Sequence, residues 1–556
     1  MKKLISALTA ALVPSLVFAQ TLQDASSNEQ IVEQLTSRPV WLKLSIIDRD
    51  LDGILNIADA FPDDRSEYAD SDGDGLGNNA DKDDDNDGVP DIEDIFPLNP
   101  AETSDLDSDG IGDNSDIDVN GDGVIDALER CGIAAQKEFV ADVVTDWYYW
   151  YDELANAVPE DFAEPESFLR ALVHPITSDG SGRDPGFSYL TTVEADRVRF
   201  TSGTYYGFGF KYSIVDGSFY FADTYEGAPA YESGLRRGHK LLAVDLGGGF
   251  ETWEQLVARG ASSSEIFGAS DEQTTRTFRV QSDSGILEVT ATKAEVTTPP
   301  IAGEPTLIHR AGKSPAGYLH FRRFIDSADQ PLRNAATLFA NSGVTDIVID
   351  LRYNGGGLVR IAETFLNLLG GEVADNATSY IINRNDKKRL YNSTASFEQL
   401  PETIAPIKVA FITTGSTASA SELIINSLEP HIEVVLVGDN TYGKAVGQSA
   451  FDMSADCETR LRLISFEIQN GEGQGGYYTG LVDTGRFALC PALDDVTRKF
   501  GDENEASLKT ALQWLNEDLT CSVPLQKQSR NIKPIVDDWP IDQKPPIDRE
   551  GGVRSF

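Results

Sequence analysis

The sequence predicts a multidomain α+β protein with four parts: a cation-wrapped repeat segment, a small helical domain, a β-rich domain and a βα-layered domain. Three observations predict it. At 556 residues and 40% hydrophobic content, the chain holds more apolar material than one core accommodates. An acidic motif recurs at fixed spacing between Asp48 and Glu129. From Gly415 to Gln448 a helix-length apolar segment is flanked by β-branched runs and carries a serine and a lysine.

The chain opens on Lys2 and Lys3, an apolar run from Leu4 to Val17, and Val17-Phe18-Ala19 before Gln20. This reads as a signal peptide over 1–19, followed by a linker over 20–47 and export to the periplasm or cell surface and beyond. No other stretch is long and apolar enough to span a bilayer. Export makes disulfides the expected state of Cys131, Cys457, Cys490 and Cys521. Of the three possible pairings, Cys457 with Cys490 is favoured as a staple within the βα-layered domain.

Residues 48–129 carry 28 acidic and 3 basic side chains, or −25 of the formal −44. Such self-repulsion with few large apolar residues rules out folding on hydrophobic burial alone and calls for cations. The pattern Asp-x-Asp/Asn-x-Asp-Gly begins at Asp48, Asp70, Asp83, Asp105 and Asp118, at alternating spacings of 22 and 13 residues. Oxygen side chains at positions 1, 3, 5, 9 and 12 of a loop, with glycine at 6, are how twelve residues wrap Ca²⁺. The expected ligands are Asp48, Asp50, Asp52 and Asp59; Asp70, Asp72, Asp74 and Asp81; Asp83, Asp85, Asp87 and Asp94; Asp105, Asp107, Asp109 and Asp116; and Asp118, Asn120, Asp122 and Glu129. A 13-residue spacing leaves no room for EF-hand helices. The array instead resembles thrombospondin type 3 repeats, which implies a chain wound around structural calcium over 48–130.

A helical domain is expected over 131–200, where the aromatic run Trp147 to Tyr151 reads as core packing. From 201 to 297 the chain is strand-rich. Tyr206-Gly207-Phe208-Gly209-Phe210 and Ser233-Gly234-Leu235-Arg236-Arg237-Gly238 resemble the signatures of a PDZ domain. That likeness implies that Gly207, Phe208, Gly209 and Phe210 form a loop capturing a substrate's C-terminal tail. His239 departs from the PDZ pattern, where aspartate is usual. After a catalytic domain over 298–523, the Pro-, Asp- and Lys-rich tail 524–556 reads as disordered.

In the catalytic domain, Ile407 to Thr413 and Ile432 to Val437 read as buried parallel strands flanking a helix from Ala418 to Leu428. Ser419 then lies at a strand-to-helix turn, where unpaired N–H groups favour an oxyanion. A serine needs a neighbouring base. The five histidines, His174, His239, His309, His320 and His431, sit in no evident catalytic turn. Lys444 can serve if neutral, which takes a pKa lowered by roughly 3 units, at a cost of about 4 kcal/mol. Its apolar neighbours make that desolvation reasonable, and Gln448 can orient the amine without adding charge. A further strand, Val344 to Leu351, runs into Arg352-Tyr353-Asn354-Gly355-Gly356-Gly357, whose glycines leave backbone N–H groups unobstructed.

Asp350 to Gly357, Ser419 to Glu422 and Tyr442 to Gln448 together resemble the three blocks of the carboxyl-terminal-processing (tail-specific) serine proteases. The resemblance implies a ClpP/crotonase-like catalytic domain with Ser419 as nucleophile, Lys444 as general base and Gln448 orienting the lysine. It also implies an oxyanion hole from the N–H of Ala420 and of Gly355 or Gly356. No metal is required for the chemistry. The expected partners are protein or peptide substrates, met through their C-termini, and not nucleic acid. Two rival readings are a catalytically inactive calcium-dependent scaffold and a hydrolase or lyase acting on small acyl compounds.

Overall fold

The computed structural model describes residues 48–116, 118–123, 130–173, 184–269 and 273–524. The expected signal peptide, the linker, Glu129 and the tail beyond 524 lie outside them. The chain divides into two units, 1–129 and 130–556. In the first, the described residues form turns and bends with no helix or strand. The reason is compositional, since carboxylates rather than apolar side chains line its interior.

The second unit starts with helices Ile133–Trp147 and Pro165–Val173, whose inner faces bury Val140, Val144, Phe168 and Leu169. Strand β1 (Tyr189–Thr192) follows. The β-rich domain holds β2 (Thr204–Gly207), β3 (Phe210–Val215), β4 (Ser218–Thr224), β5 (Lys240–Asp245), β6 (Phe250–Thr252), β7 (Thr275–Ser282), β8 (Gly285–Thr292) and β9 (Ala294–Thr297). Its antiparallel sheet runs β3-β4-β5-β7-β8, leaving β3 as an edge. Edge-to-face rings of Phe208, Phe210, Phe221 and Phe278 fill its core.

The rest of the chain adds β10 (Thr306–Ile308), β11 (Ala316–His320), β12 (Asp346–Asp350), β13 (Thr378–Arg384), β14 (Ser393–Ser396), β15 (Lys408–Thr413), β16 (Glu433–Gly438), β17 (Val446–Asp452), β18 (Thr459–Asn470) and β19 (Leu489–Pro491). A six-stranded sheet runs β10-β11-β12-β15-β16-β19, parallel from β11 onward. Side-chain alternation divides its strands between two layers. Ile347, Ile349, Val409, Phe411 and Leu436 face one core, whereas Val348, Ala410, Ile412, Val435 and Val437 face the helix Ala506–Leu515. Burial on both faces explains the unbroken apolar runs in the sequence. The register pairs His320 with Asp350, Asp350 with Ile412 and Thr413 with Gly438, so the carboxyl ends of these strands align.

A second sheet, β1-β18-β13-β14 with β17 on β18, mixes early and late chain. The helices of residues 133–173 share a core with Val446, Leu461, Leu463 and Ile464 of the β17–β18 hairpin. This also decides the disulfides. The favoured pairing of Cys457 with Cys490 is wrong: the bonds are Cys131–Cys457 and Cys490–Cys521. Cys457 lies just before β18, against which the start of the helical segment packs. Cys490 lies on β19 of the other sheet, and its neighbour Leu489 bridges to Ser522. Cα separations of 5.5 and 5.0 Å fall within the range a disulfide spans.

Candidate active site

The carboxyl ends of β12, β15 and β16 carry the candidate residues, where open parallel sheets place ligands. Leu351 continues β12 by donating its N–H to Ile412 O (2.9 Å), and the chain then turns through Tyr353 at φ 64°. Asn354, fully buried, holds the turn: its amide nitrogen donates to Phe321 O (2.9 Å), and its carbonyl oxygens accept from Ala418 N (3.1 Å) and Gly356 N (2.9 Å). Gly356 has φ 101°, and a Cβ there would lie 2.8 Å from both Ala420 N and Ser419 Cβ. Only glycine lets the two loops approach so closely. Because the Gly356 N–H is engaged by Asn354, an oxyanion would have to displace that bond.

Ser419 is the N-cap of the helix Ala420–Leu428, at φ 57° and ψ −116°. No side chain adopts this backbone without cost, roughly 1–3 kcal/mol, and such strain collects at functional turns. Glu422 holds it. This fully buried carboxylate accepts from the N–H of Ser419 (2.9 Å), Gly443 (2.8 Å) and Lys444 (2.9 Å). One side chain therefore fixes both the serine turn and the lysine turn. Burial pushes the Glu422 carboxyl up to about 7, against the hydrogen bonds from Thr441, Gly443, Lys444 and Ser419 that pull it down.

Lys444 is 3% exposed, and its Nζ donates to Gln448 Oε1 at 3.2 Å. Gln448 in turn donates Nε2 to Phe187 O. A register shift between Gly447 and Gln448 pairs Gln448 with Ile464. Such bulges re-aim side chains.

A buried ionic cluster supports the glycine turn from below. Arg352 bonds both oxygens of Asp350 (3.0 and 2.7 Å), with Glu505 and Asp494 at 2.9 Å. The Arg352 guanidinium holds the Asp350 carboxyl down at about 2 despite its burial. Two residues of the β-rich domain reach the same turn, Arg237 at Tyr353 OH (3.2 Å) and Lys211 at Tyr353 O (2.8 Å), and Arg237 also bonds Asp494 of the cluster (2.7 Å).

Gly207 to Phe210 joins β2 to β3. The Phe208 and Phe210 rings are core, and Gly209 at φ 83° packs on Ala228. In the repeat unit, five loops share one template. The first aspartate of each, Asp48, Asp70, Asp83, Asp105 and Asp118, accepts from the sixth-position glycine N–H at 2.9–3.2 Å. In the first four loops, carboxylate oxygens from positions 1, 3 and 5 lie within 4.8 Å of one another. Asp50, Asp59, Asp83, Asp85, Asp94 and Asp118 each bury a carboxylate oxygen with no hydrogen-bond partner. Orphaned, converging carboxylates suit a hard cation with oxygen ligands.

Sequence reasoning left Glu422, Asn354 and the Phe187 turn without a role. The first was legible, since Ser-x-x-Glu before an apolar run is a capping-box signature.

Residues 315–479 match the model of Peptidase family S41, and residues 135–189 match that of the Peptidase S41 N-terminal domain. The chain is similar to the carboxyl-terminal-processing protease of Synechocystis sp., 24% identical over 241 residues, covering 43% of this chain and 53% of that protein. It is also similar to the carboxy-terminal processing protease CtpB of Bacillus subtilis, 23% identical over 328 residues and covering 58% and 63%. The chain thus spans about half to two thirds of the length of these relatives. A crystal structure assigned to the S41 proteases, from Bacteroides fragilis, is 25% identical with a TM-score of 0.55, covering 69% of this chain and 98% of that one. These matches support the peptidase S41 family of carboxyl-terminal-processing proteases and a serine-type peptidase. Among the described residues, no helix is long and apolar enough to cross a membrane.

Proposed function

We propose that this chain, with its peptidase S41 matches, is an exported serine endopeptidase of the carboxyl-terminal-processing type working through Ser419, Lys444 and Gln448. The observation that carries the reading is the convergence on Glu422, which ties the strained serine turn to the turn bearing a buried lysine. A scaffold has no use for such a link. Lys444, neutral before reaction, takes the Ser419 proton as Oγ attacks the peptide carbonyl. The oxyanion forms at the helix N-terminus, against the N–H of Ala420 and of Gly355. Lys444 then hands its proton to the leaving amine, and water releases the acyl group from Ser419.

The remaining parts are read in the same way. The loop Gly207 to Phe210 and the open edge of β3 capture a substrate's tail as an added strand. The aspartate loops of residues 48–129 hold structural calcium, which neutralises their crowded charge and takes no part in peptide cleavage. Residues 1–19 direct export.

The test is digestion of an unfolded protein, with free or blocked C-terminus, by the wild type and by Ser419→Ala and Lys444→Ala, with fragments identified by mass spectrometry. Each variant is expected to lose cleavage while keeping its circular dichroism. Normal turnover by either overturns the assignment.

A further inference from the structure

The turn Asp184 to Ser188 comes from the early chain, more than 250 residues before Lys444, yet its Phe187 lies against the candidate base. The Phe187 ring lies 4.7 Å from Lys444 Nζ and packs edge-on against Tyr442, with ring centroids 5.9 Å apart. The Phe187 carbonyl accepts from Gln448 Nε2. That bond decides which end of the Gln448 amide meets the lysine. A flipped amide would set carbonyl against carbonyl at Phe187 and NH₂ against the amine at Lys444, so the oxygen is turned toward Nζ.

The turn is itself fastened. Asp184, 1% exposed, accepts from Phe187 N (2.6 Å), Ser188 N (3.0 Å) and Ser188 Oγ (2.6 Å). Ser188 Oγ accepts from Ile464 N (3.1 Å), and Ile464 is the cross-strand partner of Gln448. Ile464 O accepts from Tyr149 N at 3.0 Å. The chain of contacts therefore runs from Asp184 through Phe187 to Gln448 and Lys444, and closes back through Ser188 on the same rung of the sheet. Burial raises the Asp184 carboxyl, against the hydrogen bonds from Ser188 and Phe187 that pull it down.

We propose that Asp184 and Phe187 are positioning residues for the general base: Phe187 orients the Lys444–Gln448 pair through its ring face and its carbonyl, and Asp184 locks the turn that presents them. This rests on the reading of Lys444 as base. Partners that orient a reactive group without touching substrate typically govern about 10- to 100-fold in activity.

The experiment measures kcat and KM for a peptide substrate with Asp184→Asn, Phe187→Leu, Phe187→Tyr and Lys444→Ala in the full chain, normalised to folded protein by circular dichroism and melting. Asp184→Asn and Phe187→Leu are expected to lose about 10- to 100-fold in kcat with KM within about 2-fold, and Phe187→Tyr, which restores the ring face, to regain most of it. If Asp184→Asn fails to fold, the leucine and tyrosine pair at 187 decides. Wild-type kcat in Phe187→Leu, or an equal loss in Phe187→Tyr, overturns the proposal while Lys444→Ala stays inactive. Activity in Lys444→Ala overturns the functional reading beneath it.

Discussion

Replacing Glu422 with glutamine tests the clamp that joins the two halves of the site. The carboxyl ionises near 4.5 in an unfolded chain and is pushed up to about 7 in the fold, mainly by burial. Below pH 4.5 the group is protonated in both states and costs nothing. As pH rises from 4.5 through 7, the unfolded chain ionises first, so the fold loses stability, by about 3 kcal/mol in total at about 1.36 per unit. Glutamine carries no charge and escapes this loss. It also presents one acceptor oxygen where the carboxyl group, ionised or not, has two, so at least one of the N–H groups of Ser419, Gly443 and Lys444 faces an amide donor, a penalty of about 1–3 kcal/mol at every pH. The variant should thus be the weaker protein at pH 4.5 and draw level with, or pass, the wild type by pH 8. Denaturant unfolding of Ser419→Ala and of the double variant Ser419→Ala/Glu422→Gln, stepped from pH 4.5 to 8, reads the difference without self-digestion. A gap that stays constant across the window would mean that the four hydrogen bonds outweigh burial and that Glu422 is ionised throughout.

Two further outcomes follow from buried groups. His320 is 1% exposed, with both ring nitrogens unpartnered, and burial lowers it to about 4 from 6.5. Its contribution is fully present above pH 6.5 and lost as pH falls through 4, so His320→Leu should flatten the acid limb of the stability profile by up to about 3 kcal/mol; an unchanged acid limb refutes it. Calcium chelation should expose residues 48–123 of the full chain to added protease while Ser419-dependent turnover persists, and turnover lost on chelation and restored by calcium would place the ion in the chemistry.

The elements that carry the site were legible because each announces itself locally. Buried parallel strands read as β-branched runs, and the expected strands at 344–351, 407–413 and 432–437 end within two residues of β12, β15 and β16. The helix after Ser419 starts two residues later than expected, because the serine itself adopts the strained cap. What pattern could not report was partnership across the chain. Nothing near Asp184 signals Lys444, and nothing near Cys131 signals Cys457, 326 residues away. Local periodicity records which face of a segment is buried, not which distant segment buries it. The glutamate at 422 is an intermediate case: its capping signature was visible, but its reach to Gly443 and Lys444 depends on how the 442–448 turn folds back.

The mixed sheet has a practical corollary for anyone wishing to excise the peptidase. A fragment beginning at residue 298 keeps Ser419, Lys444 and Gln448, yet it discards β1, the Phe187 turn and the two early helices. The hairpin β17–β18 would then bare Leu461, Leu463 and Ile464 to water, and Cys457 would be left as a lone thiol. The smallest unit worth expressing begins before Cys131.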